Sequence, residues 1–170
     1  RRDSFNDGGW AAARAGDAAI QKTVAARMGS SWSLLVGRIT YENFYGFWPK
    51  QLPNPMTEAL NRVDKFVAST TLTEPLHWQN SKLLTGDVPS AVGELRRTHD
   101  KTLVIFGSGV LVQTLMPHDL IDEFVLPIHP IVLGQGRRLF PKGGAPARLE
   151  LVEATTTATG VVIATWKLVA

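Results

Sequence analysis

Cysteine is absent from this 170-residue chain, which removes disulfide staples, thiolate metal ligands and a cysteine nucleophile from consideration. No apolar run approaches the roughly 18 residues that a membrane-spanning helix needs, and the opening RRDSFNDGGW lacks the apolar core of a signal peptide. A cytoplasmic protein with no membrane partner is the expectation. Charge of one sign is also scarce: the net charge is +3, and the pairs Arg1-Arg2, Arg96-Arg97 and Arg137-Arg138 are scattered rather than aligned with interleaved aromatics. That pattern predicts no nucleic-acid surface, whereas a mildly basic cleft suits a phosphorylated small molecule. His77, His99, His118 and His129 are not in metal-ligand spacing, and no nucleophile elbow is present, so neither a metal centre nor a Ser-His-Asp site is expected.

What the chain does have is 44% hydrophobic and 19% charged residues, enough for one well-cored domain over residues 1–170. Ala18, Ala19, Val24, Ala25 and Met28 approach helical spacing within residues 14–28, between Gly16-Asp17 and Gly29. Residues 33–36 read as a buried strand stopping at Gly37, after which Thr40 is placed to cap a short helix through Phe44. Prolines 49, 53 and 55 mark loop. Helices are predicted over 57–63, 88–98 and 110–116, and strands over 65–68, 81–85 and 102–106. This order predicts an α/β fold with a mostly parallel central sheet, helices on both faces, and ligands at the carboxyl ends of the strands. Residues 121–128 and 131–133 are strand-like, with Gly134 and Gly136 suited to a β-bulge, and 149–157 and 161–169 read as an antiparallel hairpin joined at Thr159-Gly160.

Three strand ends carry anion-binding chemistry. TLVIFGSGVLVQTLM, residues 102–116, runs a buried strand into Gly-Ser-Gly and then a helix, which presents backbone N–H groups to an anion. LLVGRITYENF, residues 34–44, sets Arg38 where its guanidinium can clamp a phosphate, with the Thr40 hydroxyl nearby. VASTTL, residues 67–72, offers hydroxyls at a third strand end. Each alone is equally what a tight turn, a surface arginine or a polar loop looks like. Together, on one edge of one sheet, they suit a dinucleotide.

The same segments, with PIHPIVLGQGRRLFP (127–141) and TGVVIATW (159–166), carry a resemblance over nearly the whole chain. The sequence resembles the three-layer dihydrofolate-reductase-like fold, and within it the bacterial family similar to the C-terminal reductase domain of the bifunctional riboflavin-biosynthesis deaminase-reductase. The resemblance implies NADPH as cofactor. It implies Gly37, Arg38 and Thr40 for the adenosine-side phosphates, Ser69 and Thr70 for the ribose and its 2′-phosphate, and Gly107, Ser108, Gly109, Val110 and Leu111 for the pyrophosphate. It also implies hydride transfer to a small heterocycle or carbonyl, of the aminouracil or pterin type. Trp10, Phe44 and Trp48 are the aromatic candidates to face that substrate.

Two departures shape the expectation. Members of that family begin with a further strand and a Ser-Leu-Asp-Gly-like loop, so such a segment is expected to precede the loop-like start seen here. True dihydrofolate reductases carry a carboxylate on the first helix, whereas residues 18–28 hold neither Asp nor Glu and Asp17 reads as a helix cap. Folate reduction is therefore not expected, and no catalytic residue is assigned. The rival reading is a non-catalytic protein that binds a nucleotide or heterocycle on the same fold. The apolar, strand-rich last third leaves room for a homodimer.

Overall fold

The computed structural model describes residues 17–144 and 146–169. They fall into two compact units, one formed by residues 28–120 and the other by residues up to 27 together with those from 121 onward.

The first unit is built on four strands, β1 (Trp32–Gly37), β2 (Lys65–Ala68), β3 (Ser81–Leu84) and β4 (Thr102–Val104), all parallel and ordered β3-β2-β1-β4. The central β1 is apolar without alternation, and Ser33, Leu34, Leu35 and Val36 are fully buried, as a strand covered on both faces requires. Helix α2 (Arg38–Phe47) leaves β1 directly, α3 (Pro55–Arg62) leads into β2, α4 (Val88–Thr98) joins β3 to β4, and α5 (Gly109–Leu115) follows β4. Asn54 accepts the Thr57 N–H at 3.0 Å to start α3, and Asp87 accepts the Ser90 N–H at 3.0 Å to start α4, each with proline in the first turn.

Two sequence expectations change here. Helix α2 begins at Arg38, with extended Gly37 in the cap position, so Thr40 lies inside the first turn instead of capping it, and the helix continues past Phe44 to Phe47. β4 ends at Val104 rather than at residue 106, because β1 opposes it only over Trp32–Leu34 and the chain then turns through left-handed Gly107 and Ser108.

The amino-terminal edge of this sheet is closed by polar pairs. Lys65 is completely buried at the start of β2, and its ammonium donates to the carbonyls of Val63 at 2.9 Å, Gln79 at 3.0 Å and Asn61 at 3.4 Å, lying 4.5 Å from the centre of the Trp78 ring. Burial pushes this ammonium down to about 8. Ser33 Oγ and His99 Nε2 share a 2.8 Å hydrogen bond, and Lys101 bonds Asp64 at 2.8 Å, which holds that carboxyl below and that ammonium above their ordinary values.

In the second unit, β5 (Glu123–Ile128), β6 (Arg148–Thr156) and β7 (Val162–Val169) make an antiparallel sheet ordered β5-β7-β6, so the expected hairpin is present and belongs to a sheet of its own. Helix α1 (Ala18–Met28) is capped by Asp17, which accepts the Ala19 N–H at 2.9 Å and the Thr159 hydroxyl at 2.8 Å; the Thr159 bond leads in holding the carboxyl below its usual range. At its other end Arg27 reaches Glu153 on β6 at 2.8 Å and Glu123 on β5 at 3.5 Å, the two strands that flank β7. The predicted strand at 131–133 is loop, because the Ile131 N–H turns back onto the His129 carbonyl at 2.8 Å and is lost to any ladder. Gly134 and Gly136 follow in that loop with φ of +71° and +130°, and the β-bulge lies instead between Leu151 and Glu153. No described helix is long and apolar enough to cross a membrane.

Candidate functional site

The strand order defines where a ligand fits. From β1 the chain moves outward to β2 and β3, then returns to lay β4 on the other side of β1. The carboxyl ends of β1 and β4 therefore flank a topological switch point, the place where open α/β sheets form a crevice. Gly37 pairs with Ala68, so Arg38 and Ser69 leave their strands side by side. All three loops singled out from the sequence thus lie on one edge of one parallel sheet.

Two of the loops are joined. The Gly37 N–H donates to Ser108 Oγ at 3.1 Å, and Ser108 Oγ donates to Thr40 Oγ1 at 2.9 Å. Gly107, with φ of +61°, brings its backbone so close that an added Cβ would lie 3.8 Å from Thr40 Oγ1. No side chain caps α2, which leaves its first N–H groups to an outside acceptor. The Arg38 guanidinium, partly exposed, pairs at 3.0 Å with Glu42 one turn along. An exposed pair at this spacing contributes only about 0.3–0.5 kcal/mol, so a phosphate can displace Glu42. The i,i+4 spacing was visible in the sequence, yet the sequence reading did not use it.

The remaining predicted residues are less uniform. Ser69 Oγ accepts the N–H groups of Thr71 at 3.1 Å and Leu72 at 3.0 Å, which commits it to its own turn, while Thr70 stays exposed. Val110 is exposed, and Leu111 is buried in the core, so of these two side chains only that of Val110 is open to a ligand. Phe44 and Trp48 meet edge to face at 6.2 Å between ring centres, and Phe44 lies 6.4 Å from Phe106. Phe106 was read only as a strand residue and not as a candidate beside Phe44; its position directly before Gly107-Ser108 was the available signal. Trp10 lies outside the described residues. Among the described residues, no three His, Asp or Glu side chains gather as a metal site.

These groups fit an anionic dinucleotide: uncapped N–H groups, an exposed guanidinium and hydroxyls, with no acidic residue between Ser69 and Thr73. The family model for the RibD C-terminal domain matches residues 5–163. The chain belongs to that family. It is 30% identical over 136 residues to the uncharacterized protein YyaP of Bacillus subtilis (strain 168), covering 76% of this chain and 70% of that one. Among solved structures, a Shewanella sp. PV-4 protein named for riboflavin biosynthesis superposes with a TM-score of 0.69 at 26% identity, covering 85% of this chain and 78% of that one. A pyrimidine reductase-like protein of Corynebacterium diphtheriae gives a TM-score of 0.61 at 14% identity over 82% of this chain and 77% of its own, a likeness of fold. Acinetobacter baumannii RibD gives 0.60 at 14% identity, and this chain, covered over 89%, spans about half (51%) of that protein. The α/β fold and a reductase-like family role follow for the RibD C-terminal domain chain described here.

Proposed function

We propose that this protein is an NADPH-dependent reductase that reduces a small heterocycle or carbonyl compound. The observation that supports it most directly is the Ser108 hydroxyl bridging Gly37 and Thr40 at the switch point, which brings two anion-binding loops together on the family's fold. When bound there, NADPH supplies the hydride. The N–H groups that open α2 and the Thr40 hydroxyl hold its phosphates, and Arg38 exchanges Glu42 for the 2′-phosphate beside the exposed Thr70. Phe44, Trp48 and Phe106 offer the flat apolar surface on which a planar substrate ring rests. By likeness to its relatives, the substrate is an aminouracil or pterin-like ring. The test is a fluorescence titration with NADPH and NADH, followed by NADPH oxidation assays with aminouracil, pterin and aldehyde substrates. Micromolar NADPH binding tighter than NADH, with consumption by one substrate class, is the expected result. Binding without turnover on any class points to a nucleotide-binding protein, and no binding of either nucleotide refutes the reductase reading.

A further inference from the structure

We propose that Ser108 is a positioning residue, whose hydroxyl sets the spacing of the nucleotide crevice by fastening the loop after β4 to the turn after β1. This rests on the nucleotide reading above and changes one part of it: Ser108 supplies geometry instead of a ligand contact.

The hydroxyl is used in both directions. It accepts the Gly37 N–H, 71 residues away in sequence, and gives its only hydrogen to Thr40 Oγ1, 68 residues away. No hydrogen is left to donate to a phosphate. Serine in the cap position of a helix ordinarily bonds the N–H groups of that helix, but Ser108 makes no such bond to α5. Its backbone is also held in the left-handed region, at φ 48° and ψ 43°, a conformation that glycine adopts without cost and serine does not. A serine kept there, next to a left-handed glycine, is explained by what its side chain reaches.

The direction of the bonds points to the ligand. Hydrogen bonding runs from the Gly37 N–H to Ser108, and from Ser108 to Thr40, whose own hydroxyl hydrogen has no acceptor among the described residues. Each bond polarises the next, so the chain ends on a strengthened donor, Thr40, beside the uncapped N–H groups of α2. An anion at that point completes the sequence.

The experiment combines NADPH titration with hydrogen exchange at the Gly37 amide, on the full chain and on Ser108→Gly, Thr40→Val, Thr40→Ser and the double variant Ser108→Gly/Thr40→Val. Ser108→Gly removes the hydroxyl and relieves the left-handed serine together, so its melting temperature is expected to stay near that of the parent. Ser108→Gly and Thr40→Val are each expected to weaken NADPH binding about tenfold, and the double variant by little more than either. Thr40→Ser, which keeps the hydroxyl, should bind like the parent. The Gly37 amide should be protected in the parent and exchange freely in Ser108→Gly. Lost protection with unchanged NADPH affinity overturns the positioning role, as do losses that multiply in the double variant. If the parent binds no NADPH, the nucleotide reading falls and the positioning role with it, while Gly37 protection in the same samples still shows whether the fastening exists.

Discussion

The two edges of the parallel sheet use polar side chains in opposite ways. At the amino edge Lys65 is matched inside the protein by three carbonyls and the Trp78 ring, Ser33 by His99, and Asp64 by Lys101, while the buried Ser81 hydroxyl at the start of β3 is left without a partner among the described residues. At the carboxyl edge the Ser108 bonds hold two loops together but leave donors facing outward, with α2 uncapped, Thr70 exposed and Arg38 held only by a weak pair with Glu42. Burial makes an unmatched polar group costly, so matched groups contribute stability, and donors left at an exposed edge are available for binding. One sheet thus separates an end whose polar groups are used within the protein from the end proposed to bind the nucleotide.

The largest expected effect comes from breaking the closed edge. Lys65→Ala leaves a cavity and takes the ammonium donor from the Val63 and Gln79 carbonyls, the Asn61 carbonyl keeping its bond from Gln79 Nε2, and it should cost about 3 kcal/mol of unfolding free energy in urea titrations at neutral pH. The charge itself has a pH signature. Burial lowers the folded-state value from 10.5 to about 8, so between those limits the unfolded chain binds the extra proton. Stability contributed by this group therefore rises with pH across that window, and the rise should be missing from Lys65→Met.

A smaller effect, confined to binding, is expected at the open edge. Arg38→Ala should weaken NADPH about tenfold and NADH hardly at all, measured by fluorescence titration, while its unfolding free energy changes by less than about 0.5 kcal/mol because an exposed i,i+4 pair contributes little. Equal loss for both nucleotides would place Arg38 away from the 2′-phosphate. The smallest change concerns Asp64, whose carboxyl is lowered from 3.8 by its hydrogen bond to Lys101. A lowered folded value gives stability that is present above the unfolded value and is lost as pH falls through the folded one. Asp64→Asn should flatten the acid limb of the stability curve below about pH 4 in thermal melts and leave nucleotide binding untouched.

Local signals made much of this legible. β2 (Lys65–Ala68) and α4 (Val88–Thr98) match the sequence reading to the residue, because an apolar run between polar stops and a proline behind a capping aspartate are complete within a few positions. The segment at 131–133 was misread for the converse reason: an apolar triplet becomes a strand only if a partner takes its N–H groups, and the Ile131 N–H goes to His129. The site was legible as three loops and not as an arrangement. Arg38 could be proposed as a phosphate ligand from its place after a buried strand, and the i,i+4 spacing of Glu42 and the place of Phe106 before Gly107-Ser108 were also there to be read, whereas the turn that occupies Ser69 and the approach of Phe106 to Phe44 belong to geometry.

The sequence alone determined most of the strands and helices, that the sheet is largely parallel, and which strand ends hold residues suited to an anion, since hydrophobic period and turn chemistry act within a dozen residues. Only the tertiary structure decided that β4 returns beside β1 and that Ser108 consequently meets Gly37 and Thr40. Strand order is chosen by how whole elements pack, and a hydrogen bond across 71 residues leaves no period in the chain to read.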